Sequence, residues 1–406
     1  MSERKIRLGV AGLGRAFTLM LPTLIADPRI ELVAAADPRG EATQRFARDF
    51  GARAHATVDA LCADSGVDVV YIATPHQDHA AHACLAARHG KHALVEKPMA
   101  ITLDECRRMI DAAERAGTVL IVGHSHSFDR PIARTREIIA SGAVGEVRMI
   151  HAQYYTDFLY RPRRPEELAT ARGGGVVFSQ AAHQVDIVRL LGGGRVRSVR
   201  ALTGAWDSAR PTEGAYAALL SFDGGAIATL TYSGYAHFDT DEFCAGIGEL
   251  GIPKRADHHG SARRSLEQAG TVESEAQLKQ RRNYGGIAYA PSPPTAVGAG
   301  GPQNDTAPWH EHFGLVIASC DRADLRPLPT GVVIYGDGEV RVDVLDRPRV
   351  PRQEVIDELH GAVFGGQAPR HDGRWAMATL EVCLAILRSA REQRDIVLEH
   401  QVAASA

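Results

Sequence analysis

The sequence lacks the features that mark membrane, secreted and nucleic-acid-binding proteins. No stretch reaches about 18 consecutive apolar residues, the length that a membrane-spanning helix needs. The 46 basic and 49 acidic residues leave a net charge of −3, so we expect neither a nucleic-acid nor a membrane partner. The six cysteines form no C-x-x-C pair, and no apolar leader precedes the first strand-like run. We therefore expect a cytoplasmic protein with reduced thiols.

Histidine is abundant, but its spacing does not predict a metal site. The clusters are His76/His79/His82 and the pair His258-His259. Neither offers a convincing set of paired ligands, so we expect no metal.

The pattern of the chain indicates two domains, and 406 residues are enough for two cores. In residues 1–126, short apolar runs alternate with helical patterns, which predicts an α/β Rossmann domain with a doubly wound parallel sheet. In residues 127–406, long runs of alternating polarity predict an α+β domain with a large, mostly antiparallel sheet. The stretch 253–308 is rich in glycine, proline and charge, and it is interpreted as a loop excursion.

The first strand-like run ends in a turn that is suited to a dinucleotide. Gly12 permits the tight turn, and Gly14 lets the backbone approach a pyrophosphate. The following helix would offer the N–H groups of its first residues, Arg15 and Ala16, to the phosphates. Phe17 stands where the fingerprint has a third glycine. An ordinary strand-to-helix turn is the alternative interpretation.

An acidic residue at the end of the second strand strengthens that interpretation. Asp37 lies about 20 residues after the turn, the distance at which a carboxylate holds the adenosine ribose hydroxyls. It would repel a 2′-phosphate, which favours NAD. Arg39 lies nearby in the sequence and could hold a 2′-phosphate, so NADP is a possible cofactor as well.

Two further strands end in polar residues at the edge where ligands bind in open parallel sheets. Glu96 and Lys97, before Pro98, follow one of these strands, and a surface ion pair is the alternative for them. The other strand supplies four more candidates for the cofactor site: Thr74, Pro75, His76 and His79.

A glycine run at 173–175 leads into a helix that carries Ser179, His183 and Asp186. Spacings of four and three place these side chains on one helical face. A histidine with a neighbouring carboxylate suits acid–base catalysis near neutral pH, although a lone helical histidine is more often structural.

The order of these motifs resembles the glucose–fructose oxidoreductase / inositol dehydrogenase (Gfo/Idh/MocA) family. The resemblance covers residues 5–245 and resumes at 365, and it implies hydride transfer with NAD or NADP. In that family the lysine of Glu-Lys-Pro lies beside the nicotinamide and the substrate hydroxyl, and the helix histidine acts as acid–base. Those catalytic roles would fall on Lys97 and His183.

Within the family, the stretch 154–168 is similar to phthalate 4,5-cis-dihydrodiol dehydrogenases, which oxidise a carboxylated cyclohexadiene cis-diol. Arg161, Arg163 and Arg164 could hold carboxylates, and Tyr155 would suit a flat ring. Ser179 would be a further substrate residue, since sugar-oxidising members usually carry aspartate there. A solvated basic loop is the alternative interpretation for the three arginines.

Two other functions stay open. One is a sugar or inositol dehydrogenase, against which Ser179 and the Arg-Pro-Arg-Arg segment count. The other is a non-catalytic NAD-binding sensor, which would not need both Lys97 and His183. In each case the partner is a small molecule. A homo-oligomer, dimer or tetramer, built through the antiparallel sheet is expected.

Overall fold

The computed structural model describes residues 4–270, 272–286 and 308–404. These residues form two compact units. The first contains 4–124, 276–286 and 349–377, and the second contains the rest of the described chain. The predicted boundary lies at 126, whereas the first stretch of the first unit ends at 124 and the later stretches 276–286 and 349–377 also belong to this unit. Local sequence patterns do not reveal such returns, because the returning segments pack on residues far away in the chain.

The first unit is built on a six-stranded parallel sheet, as predicted. Three strands in the middle of the sheet, Ile6–Ala11, Val69–Ile72 and His92–Val95, are almost wholly buried, because helices cover both faces. The six strands are β1 (Ile6–Ala11), β2 (Ile30–Ala36), β3 (Arg53–His55), β4 (Val69–Ile72), β5 (His92–Val95) and β6 (Leu120–Val122). The order is β3-β2-β1-β4-β5-β6, so the direction of winding reverses between β1 and β4. Ligands bind at that reversal in doubly wound folds.

The connecting helices of the first unit begin and end at recognisable caps. One of them starts with a capping box between Thr102 and Glu105 and ends at Gly117 in the left-handed conformation. The five helices that connect the strands are α1 (Arg15–Ala26), α2 (Gly40–Phe50), α3 (Val58–Ala63), α4 (His79–Arg88) and α5 (Leu103–Ala116).

The second unit is built on a nine-stranded sheet, which is antiparallel except where one pair runs parallel. Helix α6 (Arg130–Ala140) precedes the first strand of this sheet in the chain. The strands are β7 (Val147–Tyr155), β8 (Val196–Gly204), β9 (Ala215–Phe222), β10 (Ile227–Ser233), β11 (Leu315–Cys320), β12 (Ala323–Leu328), β13 (Gly331–Gly336), β14 (Val340–Val344) and β15 (Ile396–Val397). The order is β14-β13-β12-β11-β7-β10-β9-β8-β15, and β7 and β10 form the parallel pair.

One face of this sheet is covered by α6 and by α7 (Ala182–Leu191), so burial alternates along the strands. The remaining helices are α8 (Ser261–Ala269), α9 (Val272–Gln280), α10 (Gln353–Gly365) and α11 (Gly373–Glu392). Among the helices of the described chain, none combines the length and the apolar character of a membrane span.

The predicted loop at 253–308 needs correction where the structure describes it. It contains α8 and α9, and residues 287–307 lie outside the described chain. Both helices are short, nine residues each, and most of their residues are good helix formers. A buried ion pair anchors α9, because Glu275 accepts from Arg210 at 2.7 Å.

Candidate functional site

The glycine turn after β1 is shaped for close approach of a ligand. Gly12 has a φ of +92°, and a Cβ there would lie 2.8 Å from the carbonyl oxygen of Ala73. Gly14 differs, because a Cβ there would meet nothing within 4 Å. No side chain caps the N-terminus of α1 at Gly14. The turn therefore offers open space and helix N–H groups, the two features that a pyrophosphate needs. Arg15 is exposed and Ala16 half-exposed in the first turn of this helix.

Asp37 lies beside this turn, as predicted from its spacing. Its Oδ2 accepts from the backbone N–H of Leu13 at 2.7 Å. Its Oδ1 accepts from the backbone and from Nε of Arg39, both at 2.9 Å. The predicted cofactor residues Gly12, Asp37 and Arg39 are thus brought together, and the geometry of the turn fits a dinucleotide.

The loops that follow β4 and β5 are held together by His79, which is fully buried. Its Nε2 lies 2.9 Å from the carbonyl oxygen of Thr74, and its Nδ1 lies 3.0 Å from that of Pro98. Burial lowers the pKa of His79, and the two carbonyl oxygens oppose that shift. His76 packs edge-on against His79, with ring centroids 5.7 Å apart. His79 therefore supports the loops that carry Thr74 and Pro75.

Glu96 is not part of a surface ion pair. It is buried at the end of β5, where it accepts a hydrogen bond from the Tyr71 hydroxyl at 2.6 Å. Burial raises the pKa of Glu96, while Tyr71 and Lys97 act in the opposite direction. Lys97 follows as a half-buried residue at the carboxyl edge of the sheet. This arrangement favours the functional interpretation of the Glu-Lys-Pro segment.

In the second unit, His183 lies in a layer of rings on α7. Its ring centroid is 4.6 Å from that of His126 and 5.0 Å from that of Phe313. Phe313 in turn packs edge-on against Tyr154 at 4.8 Å. His183 is thus a buried imidazole between a second imidazole and an apolar wall.

The carboxylate of Asp186, three residues after His183 in α7, is held by hydroxyl groups. Asp186 accepts from the hydroxyls of Ser125 and Ser127, and from that of Thr379 at 2.7 Å. The turn before α7 is π-helical over Val177–Ala181, so the α-helical spacing of four that was expected between Ser179 and His183 does not apply. Ser179 is half-buried in this turn, and its hydroxyl donates to the carbonyl oxygen of Gly175.

A different carboxylate network surrounds the histidines. Nδ1 of His126 lies 2.7 Å from Asp129, and Nε2 lies 3.5 Å from Glu249. Burial alone would lower the pKa of His126, but the two carboxylates together raise it to about 10. His126 is therefore an imidazolium at neutral pH.

Several side chains in this region are close enough to share a metal ion. The ligand atoms of His126, Asp129 and Glu311 lie within 4.8 Å of one another. Both nitrogens of His126, however, face carboxylates, which is the pattern of a buried ion pair. We therefore assign this group as an ion-pair network and not as a metal site.

The three arginines of the predicted substrate loop have different surroundings. Arg164 lies 3.2 Å from Glu166 and 3.5 Å from Glu167, on its own short helical turn. Arg163 donates to the carbonyl oxygen of Phe158 at 2.8 Å and stacks on its ring at 3.6 Å. Both contribute to the shape of the loop.

Arg161 is available to a ligand. Its guanidinium has two long ion-pair contacts, at 3.8 Å to Glu249 and 3.7 Å to Asp157. Among the described residues it makes no side-chain hydrogen bond, and it is 37% exposed. Through Glu249 it joins the network of His126.

The glycine run serves close packing of this loop. A Cβ on Gly174 would lie 2.7 Å from the backbone of Glu166 and Glu167. A Cβ on Gly175 would lie 2.0 Å from the carboxylate of Glu213, which accepts from the backbone N–H of Val177 at 3.1 Å. The run therefore brings the arginine loop against the start of the helix that carries His183.

Tyr155 does not lie with the ring layer. Alternate residues of β7 point to opposite faces, and Tyr154 is buried against Phe313 while Tyr155 is half-buried beside Phe238. The tyrosine in the ring layer of His183 and Phe313 is thus Tyr154.

No motif in the sequence pointed to a role for His126, Asp129, Glu249 or Phe313. The spacing of three between His126 and Asp129, at the start of α6, could have indicated the pair. Glu249 and Phe313 carry no local pattern, since they reach the histidines only through the tertiary fold.

The chain matches known protein families over both units. Residues 6–124 match the oxidoreductase family with an NAD-binding Rossmann fold, and residues 132–252 match the GFO/IDH/MocA C-terminal domain. The chain is 48% identical over 389 residues to the 1-carboxy-3-chloro-3,4-dihydroxycyclo hexa-1,5-diene dehydrogenase of Comamonas testosteroni, covering 96% of each protein.

Solved structures share the fold along the whole chain. A protein from Bordetella bronchiseptica RB50 has a TM-score of 0.88 at 42% identity, with 97% of this chain and 100% of that chain covered. The WlbA dehydrogenase of Bordetella pertussis, crystallised with NADH and UDP-GlcNAcA, has a TM-score of 0.67 at 22% identity, covering 98% and 99%. With the open glycine turn beside Asp37 and 48% identity over nearly its full length, the chain belongs to the GFO/IDH/MocA family of NAD-binding oxidoreductases.

Proposed function

We propose that the protein oxidises a carboxylated cyclohexadiene cis-diol with NAD and releases the corresponding aromatic diol. The Comamonas relative carries this type of compound in its name, at 48% identity. The observation that carries the proposal is the guanidinium of Arg161. It makes no side-chain hydrogen bond among the described residues, and Glu249 links it to the ring layer of His183.

The reaction needs a hydride acceptor and a base. NAD, when bound, accepts the hydride from the ring carbon. The hydroxyl proton on the same carbon passes to His183, or to Lys97 if its amine is neutral. The hydroxy-ketone that results tautomerises to the aromatic diol, which makes the oxidation favourable.

The surroundings of His183 suit a base. Its ring is buried against that of His126, and an imidazole at this place can take up the proton of a substrate hydroxyl. Asp129 and Glu249 hold His126 in its charged form and fix its ring.

The substrate ring and its carboxylate would use different side chains. Tyr154, Tyr232 and Phe313 form the aromatic layer, in which the rings of Tyr232 and Phe313 stack at 6.2 Å. Arg161 would hold the carboxylate through a forked pair of hydrogen bonds. A neutral sugar has no carboxylate that could accept this forked pair of hydrogen bonds from Arg161.

The test compares a carboxylated cis-dihydrodiol with its uncarboxylated analogue, and with inositol and glucose, by NADH formation. A hydrogen bond to a charged group contributes about 1.5–3 kcal/mol, so Arg161→Ala should raise KM for the carboxylated diol about 10- to 100-fold. KM for the uncarboxylated diol should stay the same. Arg164→Ala is the matched control, since Glu166 and Glu167 already engage that guanidinium. Oxidation of inositol in preference to both diols would refute the proposal.

We also propose that the protein is a cytoplasmic homo-oligomer. All six cysteines are free, which suits a reducing compartment. The solvent side of the second sheet exposes apolar residues on neighbouring strands, among them Leu202 on β8 at 56% and Leu219 on β9 at 48%. Light scattering of the purified protein should give a dimer or tetramer, and Leu219→Asp should reduce the mass.

A further inference from the structure

We infer that residues 281–286 are a built part of the cofactor site, and that Tyr284 is a positioning residue that tightens NAD binding and disfavours NADP. This segment, here called the strap, follows α9 and belongs to the first unit. The inference concerns the cofactor alone and does not depend on which alcohol is oxidised.

The strap is bonded to the glycine turn itself. The backbone N–H of Tyr284 donates to the carbonyl oxygen of Leu13 at 3.1 Å. Leu13 lies between Gly12 and Gly14, and its own N–H donates to Asp37 at 2.7 Å. The peptide groups of Leu13 are therefore fixed on one side by the strap and on the other by the carboxylate predicted to hold the ribose.

The ring of Tyr284 fills a socket that explains the missing third glycine. It is 1% exposed and packs edge-on against Phe17 at 5.5 Å and against Phe46 at 6.1 Å. Its hydroxyl donates to Asp49 at 2.5 Å. Phe17 stands at the third position of the fingerprint, so a glycine there would remove one wall of the socket. Buried aromatic pairs of this kind add about 0.5–1.5 kcal/mol each beyond the area they bury.

The strap also determines what Arg39 can do. Arg39 donates to the Asp37 carboxylate, to the carbonyl oxygen of Leu13 at 2.9 Å, and to that of Tyr284 at 3.4 Å. An arginine near the ribose is the residue that usually accommodates the 2′-phosphate of NADP. Because Arg39 is committed to Asp37 and to the two carbonyl oxygens, it is withheld from that phosphate.

The experiment measures the dissociation constants of NAD and NADP by calorimetry, without alcohol substrate, for the wild-type protein, Tyr284→Ala and Tyr284→Phe. Tyr284→Ala should weaken NAD binding about tenfold, which corresponds to about 1.4 kcal/mol. NADP binding should weaken less, so the preference for NAD narrows. Tyr284→Phe keeps the ring and should restore most of the affinity. At saturating NAD, kcat should match the wild type while KM for NAD rises.

A second readout does not depend on a variant. Arg281 and Arg282 are exposed sites for trypsin within the strap. NAD should slow cleavage after them, because the bound cofactor stabilises the turn to which the strap is bonded.

If Tyr284→Ala does not fold, Tyr284→Leu, which keeps an apolar side chain, replaces it in the calorimetric experiment. Unchanged NAD affinity in the variants, or cleavage that NAD does not slow, would overturn the inference.

Discussion

The two units build their candidate functional residues by different means. In the first unit, backbone groups at the ends of strands form the cofactor turn, and Gly12, Gly14 and Asp37 mark it in the sequence. In the second unit, side chains from separate segments form a ring layer and an ion-pair network around His183. A backbone site depends on a few short motifs, whereas a side-chain site depends on every element that contributes to it. This difference predicts which substitutions affect binding of the cofactor and which affect chemistry.

The largest effect is expected at the two proposed acid–base residues. Lys97→Ala and His183→Ala should each lower kcat by at least about 100-fold, the scale of a positioned proton-transfer group. Binding of NAD should change little in His183→Ala, because the turn in the first unit is intact. Turnover and NAD affinity measured on the same preparations test the division between the units.

Exposed residues of the same types provide the controls. Lys5→Ala and His237→Ala alter side chains that lie on the surface, and kcat should match the wild type. Wild-type turnover in either Lys97→Ala or His183→Ala would remove that residue from the mechanism.

The next largest effect is expected from substitutions in the glycine turn of the first unit. Gly14→Ala should weaken NAD binding at least about tenfold, or about 1.4 kcal/mol, because the new methyl occupies the space kept for the pyrophosphate. Its thermal stability should be unchanged, since a Cβ there meets no protein atom within 4 Å. Gly12→Ala should lose stability as well, owing to the φ of +92° and the contact with Ala73. Equal melting temperatures for the two variants would contradict this account.

The smallest effect concerns the pH dependence of stability in the second unit. The carboxylates raise the pKa of His126 to about 10 in the folded protein, against about 6.5 for an unfolded histidine. The folded state therefore binds more protons in this interval. Its stabilisation is complete below about pH 6.5 and is lost as the pH rises towards 10.

Urea unfolding at a series of pH values measures this contribution. The difference in free energy of unfolding between the wild type and His126→Gln should shrink as the pH rises. Asp129→Asn should flatten the same dependence, because it removes the nearest carboxylate. A difference that is constant from neutral pH to pH 10 would show that His126 is neutral in the folded protein.

The sequence determined most of the first unit and little of the side-chain network in the second. The parallel sheet, the glycine turn and the place of Asp37 all follow from local patterns, because βαβ units bring the carboxyl ends of their strands to one edge. His183 and Arg161 were proposed from their motifs. Alternation along β7 places Tyr154 and Tyr155 on opposite faces, and only packing decides that Tyr154 joins the ring layer.

The tertiary structure alone decided the rest. Three hydroxyls, from Ser125, Ser127 and Thr379, donate to the Asp186 carboxylate, and the π-helical turn sets the register of Ser179 relative to α7. Glu249 and Phe313 reach the histidines from segments that have no motif. Tyr284 lies 271 positions after Leu13 in the chain, within a stretch whose composition indicated a loop, yet it is buried against the cofactor turn. Such contacts depend on packing between distant segments, and local sequence periodicity carries no information about them.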